Sequence, residues 1–216
     1  MQPLSLTAPT NRPLRLLCLG AHSDDIEIGA GATILKLLQL RPNTEVWWGV
    51  FSASELRHTE AQRSARQFLQ RAGEKKVILH TFRDGYFPAQ HAEIKDKFEA
   101  LKGYVNPDLI LTHYRNDLHQ DHRIISELTR NTWRNHTLLE YEIPKFDGDL
   151  DRPNAYVQIP DSLARRKAEY LMKYFPSQAK RPWFDRETFL GLMRLRGVEC
   201  GARYAEAFHA HKLLLE

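Results

Sequence analysis

The stretch Leu14-Arg15-Leu16-Leu17-Cys18-Leu19-Gly20-Ala21, followed at once by His22-Ser23-Asp24-Asp25, sets the reading of the whole chain. Its apolar run has the length and density of a buried strand, and Gly20 suits the turn that ends it. From Asp25 to Leu40, Ile26, Ile28, Ile34, Leu35, Leu37 and Leu38 recur at helical spacing, and Pro42-Asn43 stops the helix. A buried strand that passes into a helix across a short polar turn is the opening unit of an α/β fold.

Working outward, the unit repeats. Glu45 to Phe51 is a second strand candidate, and Ser54 to Arg71 a helix that Ser54 caps and Gly73 closes. Lys76 to Phe82 is a third strand, with Asp84-Gly85 as a turn. His91 to Val105 is a helix ended by Asn106-Pro107. Asp108 to His113, His122 to Asn135 and Thr137 to Ile143 follow as strand, helix and strand. The alternation implies a mostly parallel sheet covered by helices on both faces through right-handed crossovers, a Rossmann-like three-layer α/β fold. The dinucleotide fingerprint of that fold is missing from the sequence. After Pro144 the alternation weakens: Asn154 to Ile159 suits a strand, Asp161 to Tyr174 and Asp185 to Arg196 suit helices, and Phe208 to Leu215 a final strand or short helix. Without repeats or a linker, one domain over residues 1–216 is the simplest account, with residues 1–13 as a flexible tail.

Composition narrows the function classes. Hydrophobic residues at 42% and charged residues at 27% are ordinary for a water-soluble globular chain of 216 residues, so disorder is not expected. The net charge of +4 comes from basic residues scattered among acids, as in Glu74-Lys75-Lys76, which argues against nucleic acid as a partner and leaves an anionic small molecule as the milder reading. Cys18 sits in an apolar run and Cys200 near a glycine, so no disulfide framework is expected. The N-terminus lacks the pattern of a signal peptide and no apolar stretch reaches membrane-spanning length, so the expected location is cytoplasmic.

Two segments carry the chemistry. Ala21-His22-Ser23-Asp24-Asp25 follows the first strand, and His113 to His122 (HYRNDLHQDH) follows the fourth. In an open parallel sheet the carboxyl ends of the strands share one edge, where ligands bind. If the two strands are close neighbours, His22, Asp24, Asp25, His119, Asp121 and His122 come within reach of one another. Catalytic zinc takes three ligands from His, Asp or Glu and keeps a position for water. His22 and Asp25, three apart, fit the first turn of a helix, and His122 supplies a third ligand. Asp24 then lies beside the water as a general base. His119, if protonated, would stabilise an oxyanion, while Asp121 or Asp117 would either raise its pKa or fix the orientation of a ligand. The plainer readings are a helix N-cap for Asp24 or Asp25 and a solvated His-rich loop. Iron(II) or another divalent metal suits the same donor set.

With these motifs the sequence resembles the LmbE-like (PIG-L) family of zinc-dependent N-deacetylases. The family's Ala-His-Pro-Asp-Asp appears as Ala21-His22-Ser23-Asp24-Asp25, its His-x-Asp-His as His119-Gln120-Asp121-His122, and Tyr204-Ala205-Glu206-Ala207-Phe208 is similar to its C-terminal signature. The resemblance implies zinc ligands at His22, Asp25 and His122, Asp24 as general base, and His119 as the group that stabilises the oxyanion or protonates the leaving amine. It also implies an N-acetylglucosaminyl-type, amino-sugar substrate. Ser23 departs from the family's proline and gives up the constraint that a proline ring places on φ.

On the substrate side, Arg57 opens the helix after the second strand and faces a sugar hydroxyl or phosphate, or else solvent. Asp84 faces sugar hydroxyls, or else only forms the turn with Gly85. Tyr174 to Gln178 and Trp183-Phe184 form either an aromatic substrate wall or a core plug. Glu206 is expected to order the site or pair with an arginine. Competing functions are an amidase for a bulkier acyl conjugate and a non-catalytic metal or small-molecule binding protein. The sequence leaves a homo-oligomer open.

Overall fold

The computed structural model describes residues 12–214. Most of the expected N-terminal tail lies outside the described residues, but Arg12 is tied down by a two-pronged contact to Asp108. A single seven-stranded sheet runs in the order β3-β2-β1-β4-β5-β7-β6. Its strands are β1 Arg15–His22, β2 Glu45–Ser52, β3 Glu74–Leu79, β4 Leu109–His113, β5 Thr137–Tyr141, β6 Ala155–Ile159 and β7 Tyr204–Ala210. The first five pair in parallel, and β7 runs antiparallel between β5 and β6. The helices are α1 Asp25–Leu40, α2 Glu55–Phe68, α3 His91–Lys102, α4 Gln120–Thr132, α5 Asp161–Tyr174 and α6 Arg186–Glu199.

The opening strand shows why the sheet is covered on both faces. Leu16 and Cys18 pack into one core with α1, α2, α5 and α6, while the alternate residues Leu17 and Leu19 pack into a second core with α3 and α4. All four side chains are fully buried, as the two-residue period of a strand requires when both faces are apolar. The chain therefore adopts the expected three-layer α/β architecture.

Several boundaries differ from the sequence reading: β3 is Glu74–Leu79 rather than Lys76 to Phe82, α2 and α3 each end three residues early, and three further differences have a visible cause. Helix α4 starts at Gln120, two residues early, because His119 serves as its N-cap: the imidazole accepts the backbone N–H of Asp121. Helix α6 runs on to Glu199, with Asp185 capping its start through the N–H of Thr188 at 2.7 Å. The last strand begins at Tyr204 rather than Phe208 and ends at Ala210, leaving Leu213 and Leu214 exposed. Its alternation was hidden because Glu206 occupies a buried position between Tyr204 and Phe208 on the core face.

The sheet order places β1 beside β4, and β2 beyond β1. Chain connection reverses direction between β1 and β4, which is the switch point where open α/β sheets bind ligands at the carboxyl ends of their strands.

Candidate metal centre and catalytic site

His22 ends β1, Ser23 and Asp24 turn the chain, and Asp25 begins α1. His22 and Asp25 therefore do not share a helical turn as the spacing suggested; the corner between strand and helix brings them together. Asp24 is the N-cap residue of α1 but its side chain makes no capping bond, so the plainer reading of that carboxylate fails. Ser23 is buried, and its hydroxyl donates to the Ser52 carbonyl at 3.4 Å, which ties the turn to the end of β2 where the family has proline.

The two motif segments converge. His22 Nδ1 lies 3.2 Å from His122 Nε2 and 3.3 Å from Asp25 Oδ2, and His122 Nε2 lies 3.6 Å from Asp25 Oδ1. The far nitrogens of both rings are occupied by carboxylates. His122 Nδ1 sits 2.9 Å from Asp117 Oδ2, and His22 Nε2 sits 3.0 Å from Asp84 Oδ1 and 3.3 Å from Asp121 Oδ2. A carboxylate accepts a proton's hydrogen bond, so each far nitrogen carries an N–H; His122 Nε2 then presents a lone pair, and His22 Nδ1 presents one once its second proton is released. Two imidazole nitrogens and a carboxylate thus point at one another in a buried corner. That arrangement is unfavourable without a cation and is the donor set that zinc takes. His22, Asp25 and His122 fit a metal ion, each offering one atom within 4.8 Å of the others.

The electrostatics agree. Burial pushes His122 down to about 3, helped by His113, so the ring is neutral. Burial works against ionised Asp25, but His122, His113 and His22 outweigh it and hold the carboxyl well below its ordinary range. Burial also opposes charge on His22, yet Asp25, Asp121 and Asp84 raise it well above its ordinary value. Without a metal, the positive charge in the corner is a proton on His22.

Asp24 points to the other side of the corner. It is 5% exposed, and Arg57 donates to its Oδ1 at 2.7 Å. Burial raises its pKa against the pull of that guanidinium. Arg57, expected to face substrate or solvent, grips this carboxylate and also lines the cavity. Asp84 likewise bonds to His22 while remaining on the cavity wall.

His119 follows a different wiring from the one anticipated. Its Nδ1 accepts the Asp121 N–H at 3.2 Å, so the proton sits on Nε2. Asp121 meets it only through the backbone; the Asp121 carboxylate accepts from Gly85 N and Phe87 N and contacts His22. Asp117 reaches only the His119 backbone N–H, at 2.8 Å. Burial and His22 lower the His119 pKa, which corrects the expectation of a raised one. The result is a neutral ring with an N–H to donate.

Sequence reasoning missed His113. Fully buried at the end of β4, it accepts the Ala21 N–H at 2.9 Å, lies 3.1 Å from Asp25 Oδ2 and stacks on His122 with ring centroids 3.9 Å apart. It opens the second motif segment but also closes an apolar strand, and it was given no role there. Lys145, also unremarked, binds Asp117 at 3.0 Å and pairs with Asp149, which closes the loop after β5 over the site. The aromatic segments divide: Phe175 and Phe184 are core, whereas Trp183 and Gln178 line the cavity. Glu206 pairs with Lys167 rather than with an arginine, at 2.6 Å.

The cavity beside the cluster has a volume of about 430 Å³ and is lined by His22, Asp24, Asp25, His119 and His122 together with Arg181, Trp183 and Phe146. Among the described residues no helix is long and apolar enough to cross a membrane.

Comparison with known proteins bears on the fold and the family. The uncharacterized deacetylase YaiS of Escherichia coli K12 is 25% identical over 158 residues, covering 65% of this chain and 80% of YaiS. The N,N'-diacetylchitobiose deacetylase of Pyrococcus horikoshii superposes with a TM-score of 0.69 at 21% identity, over 95% of this chain and 86% of its own. The 4-carboxy-2-hydroxymuconate hydratase GalB of Pseudomonas putida superposes equally well, with a TM-score of 0.72 at 14% identity over 94% of this chain and 98% of its own, so the shared fold alone does not decide the reaction. The family model for GlcNAc-PI de-N-acetylase, PIG-L, matches residues 17–133. That match covers more than half of the chain and takes in both motifs, and the chain belongs to the PIG-L deacetylase family.

Proposed function

We propose that this protein is a divalent-metal-dependent N-deacetylase acting on an amino-sugar derivative, with His22, Asp25 and His122 holding the metal and zinc the expected ion. The observation that carries the reading is the pair of imidazole nitrogens, His22 Nδ1 and His122 Nε2, facing each other at 3.2 Å beside the Asp25 carboxylate. A zinc ion bound there supplies Lewis acidity, which acidifies water and polarises a carbonyl oxygen.

The chain's own residues supply the rest. Asp24 Oδ2, left free when Arg57 holds Oδ1, takes the proton of the attacking water. The tetrahedral oxyanion accepts a hydrogen bond from His119 Nε2–H, and a neutral donor keeps that bond through the normal pH range. Asp24, with its pKa raised by burial, then passes the proton to the nitrogen of the breaking C–N bond, and acetate and free amine leave. Asp117, Asp121 and Asp84 hold the two imidazoles in their tautomers from behind. Arg57, Arg181 and Trp183, which line the same cavity, are the side chains offered to the sugar.

The test is metal content of the purified chain together with chelator-sensitive acetate release from a panel of N-acetyl amino sugars. Asp24→Ala is expected to retain the metal and lose nearly all turnover. Wild-type turnover in that variant would remove Asp24 as the base. Release of a larger acid from bulkier conjugates, with no acetate from any substrate, would favour the broader amidase reading. Tight metal with no amide hydrolysis would favour a binding protein.

A further inference from the structure

Lys167 on α5 and Glu206 on β7 form an ion pair of 2.6 Å with both side chains 3% exposed, and the chemistry above makes no use of it. What the pair touches is the backbone of α1. Lys167 Nζ donates to the Ile28 carbonyl at 2.5 Å, Glu206 Oε1 accepts the Ala32 N–H at 3.0 Å, and Glu206 Oε2 accepts the Thr33 N–H at 2.6 Å. In a regular α-helix the Ile28 carbonyl would serve the Ala32 N–H itself. The ion pair engages both ends of that rung. The pair therefore ties the backbone of α1 to α5 and β7.

The surrounding packing is cut to the same place. A Cβ on Gly29 would meet the Tyr141 ring at 2.2 Å, and one on Gly31 would meet the Phe68 ring at 2.7 Å. The segment of α1 on the N-terminal side of the engaged rung carries Asp24, Asp25 and the cavity-lining Ile28. Replacing a buried ion pair by apolar groups of similar volume is often neutral or stabilising, so stability is a weak reason for keeping this one.

We infer that Lys167 and Glu206 are positioning residues that set the course of α1 and so aim Asp24 and Asp25 at the metal centre. The inference rests on the metal reading above, and its decisive measurement is cation affinity, which needs no substrate. Zinc affinity of the full chain, measured by competition with a chromophoric chelator, is compared with thermal stability in Lys167→Met/Glu206→Leu. With both charges gone, α1 loses the side chains that hold its Ile28 carbonyl and its Ala32 and Thr33 N–H groups. The expected result is a chain that melts at or above the wild-type temperature and binds zinc at least about tenfold more weakly. A folded double variant with wild-type zinc affinity overturns the inference. If it does not fold, Glu206→Asp decides: it keeps the charge pair but is one methylene too short to reach both N–H groups. Weakened zinc binding in the folded Glu206→Asp chain supports positioning, and unchanged affinity overturns it. A wild-type chain that binds no zinc at all would instead remove the metal reading, and this inference with it.

Discussion

Arg57 donates to Asp24 at 2.7 Å, so a guanidinium that lines the cavity is committed to the carboxylate proposed as the base. Glu60 lies 3.9 Å from the same guanidinium, and the Phe175 ring lies 5.9 Å below it. This clamp sets where the free Asp24 oxygen points. Arg57→Ala is expected to lower kcat on the order of 10²-fold by misplacing that oxygen, while leaving zinc affinity unchanged. Parallel kinetics and metal titration check it; loss of zinc affinity equal to the loss of kcat would show that Arg57 supports the metal corner instead.

Asp117 makes a complementary prediction. Its Oδ2 pins His122 Nδ1 at 2.9 Å, and its Oδ1 takes the His119 N–H and Lys145. Burial opposes its charge, but His122, His113 and Lys145 hold the carboxyl well below its ordinary range, so it is a fixed anion. Asp117→Ala frees the His122 ring to turn and to change tautomer. Zinc affinity is expected to fall about 10- to 100-fold, measured by chelator competition; an unchanged affinity would mean that the stack on His113 suffices to hold the ring.

These two residues mark what the sequence could and could not disclose. The placement of His22, Asp25 and His122 was legible because each motif follows a strand end, and parallel strands put their ends on one edge. The wiring behind the ligands was not. Asp117, Asp121 and Asp84 all follow strands, but which imidazole each would hold depends on side-chain directions that spacing does not encode. His113 closes an apolar strand and looks like core until Asp25 is seen beside it. Lys167 sits in a charged helix (ARRKAEY) and reads as solvated, because its partner lies 39 residues further on. The last strand was misplaced for the same reason: a buried Glu206 breaks the apolar pattern, and only Lys167 and the α1 backbone explain it.

Two glycines test how tightly α1 is seated. A Cβ on Gly29 would lie 2.2 Å from the Tyr141 ring, whose hydroxyl donates to Leu19 O at 2.6 Å and so cannot retreat freely. Gly29→Ala is expected to destabilise by about 1–3 kcal/mol through overpacking. Gly191 is also helical, within α6, but a Cβ there meets nothing within 4 Å. Gly191→Ala is expected to stabilise by about 0.5–1 kcal/mol, since alanine restricts the unfolded chain and favours helix. Denaturant unfolding of both variants checks the contrast in sign; equal effects would mean that α1 shifts freely against β5.

The last prediction concerns protons. In the metal-free chain His22 is held above its ordinary value of 6.5, because Asp25, Asp121 and Asp84 outweigh the burial that opposes its charge. A group whose folded pKa is raised contributes stability that is fully present below its unfolded pKa and is lost as pH rises through the folded value. The metal-free protein should therefore lose stability as the pH is raised from about 6.5 through the raised His22 pKa. Metal binding works in the opposite sense, since His22 Nδ1 must give up its proton to become a ligand. Zinc affinity should rise with pH below the His22 pKa and level off above it, with about one proton released per ion near neutral pH. Calorimetric titration in buffers of different ionisation enthalpy counts that proton, and melting curves with and without zinc read the two opposite slopes. Zinc uptake without proton release near neutral pH would show that His22 is already neutral in the metal-free chain, and that the two facing lone pairs are held apart by the packing of the corner alone.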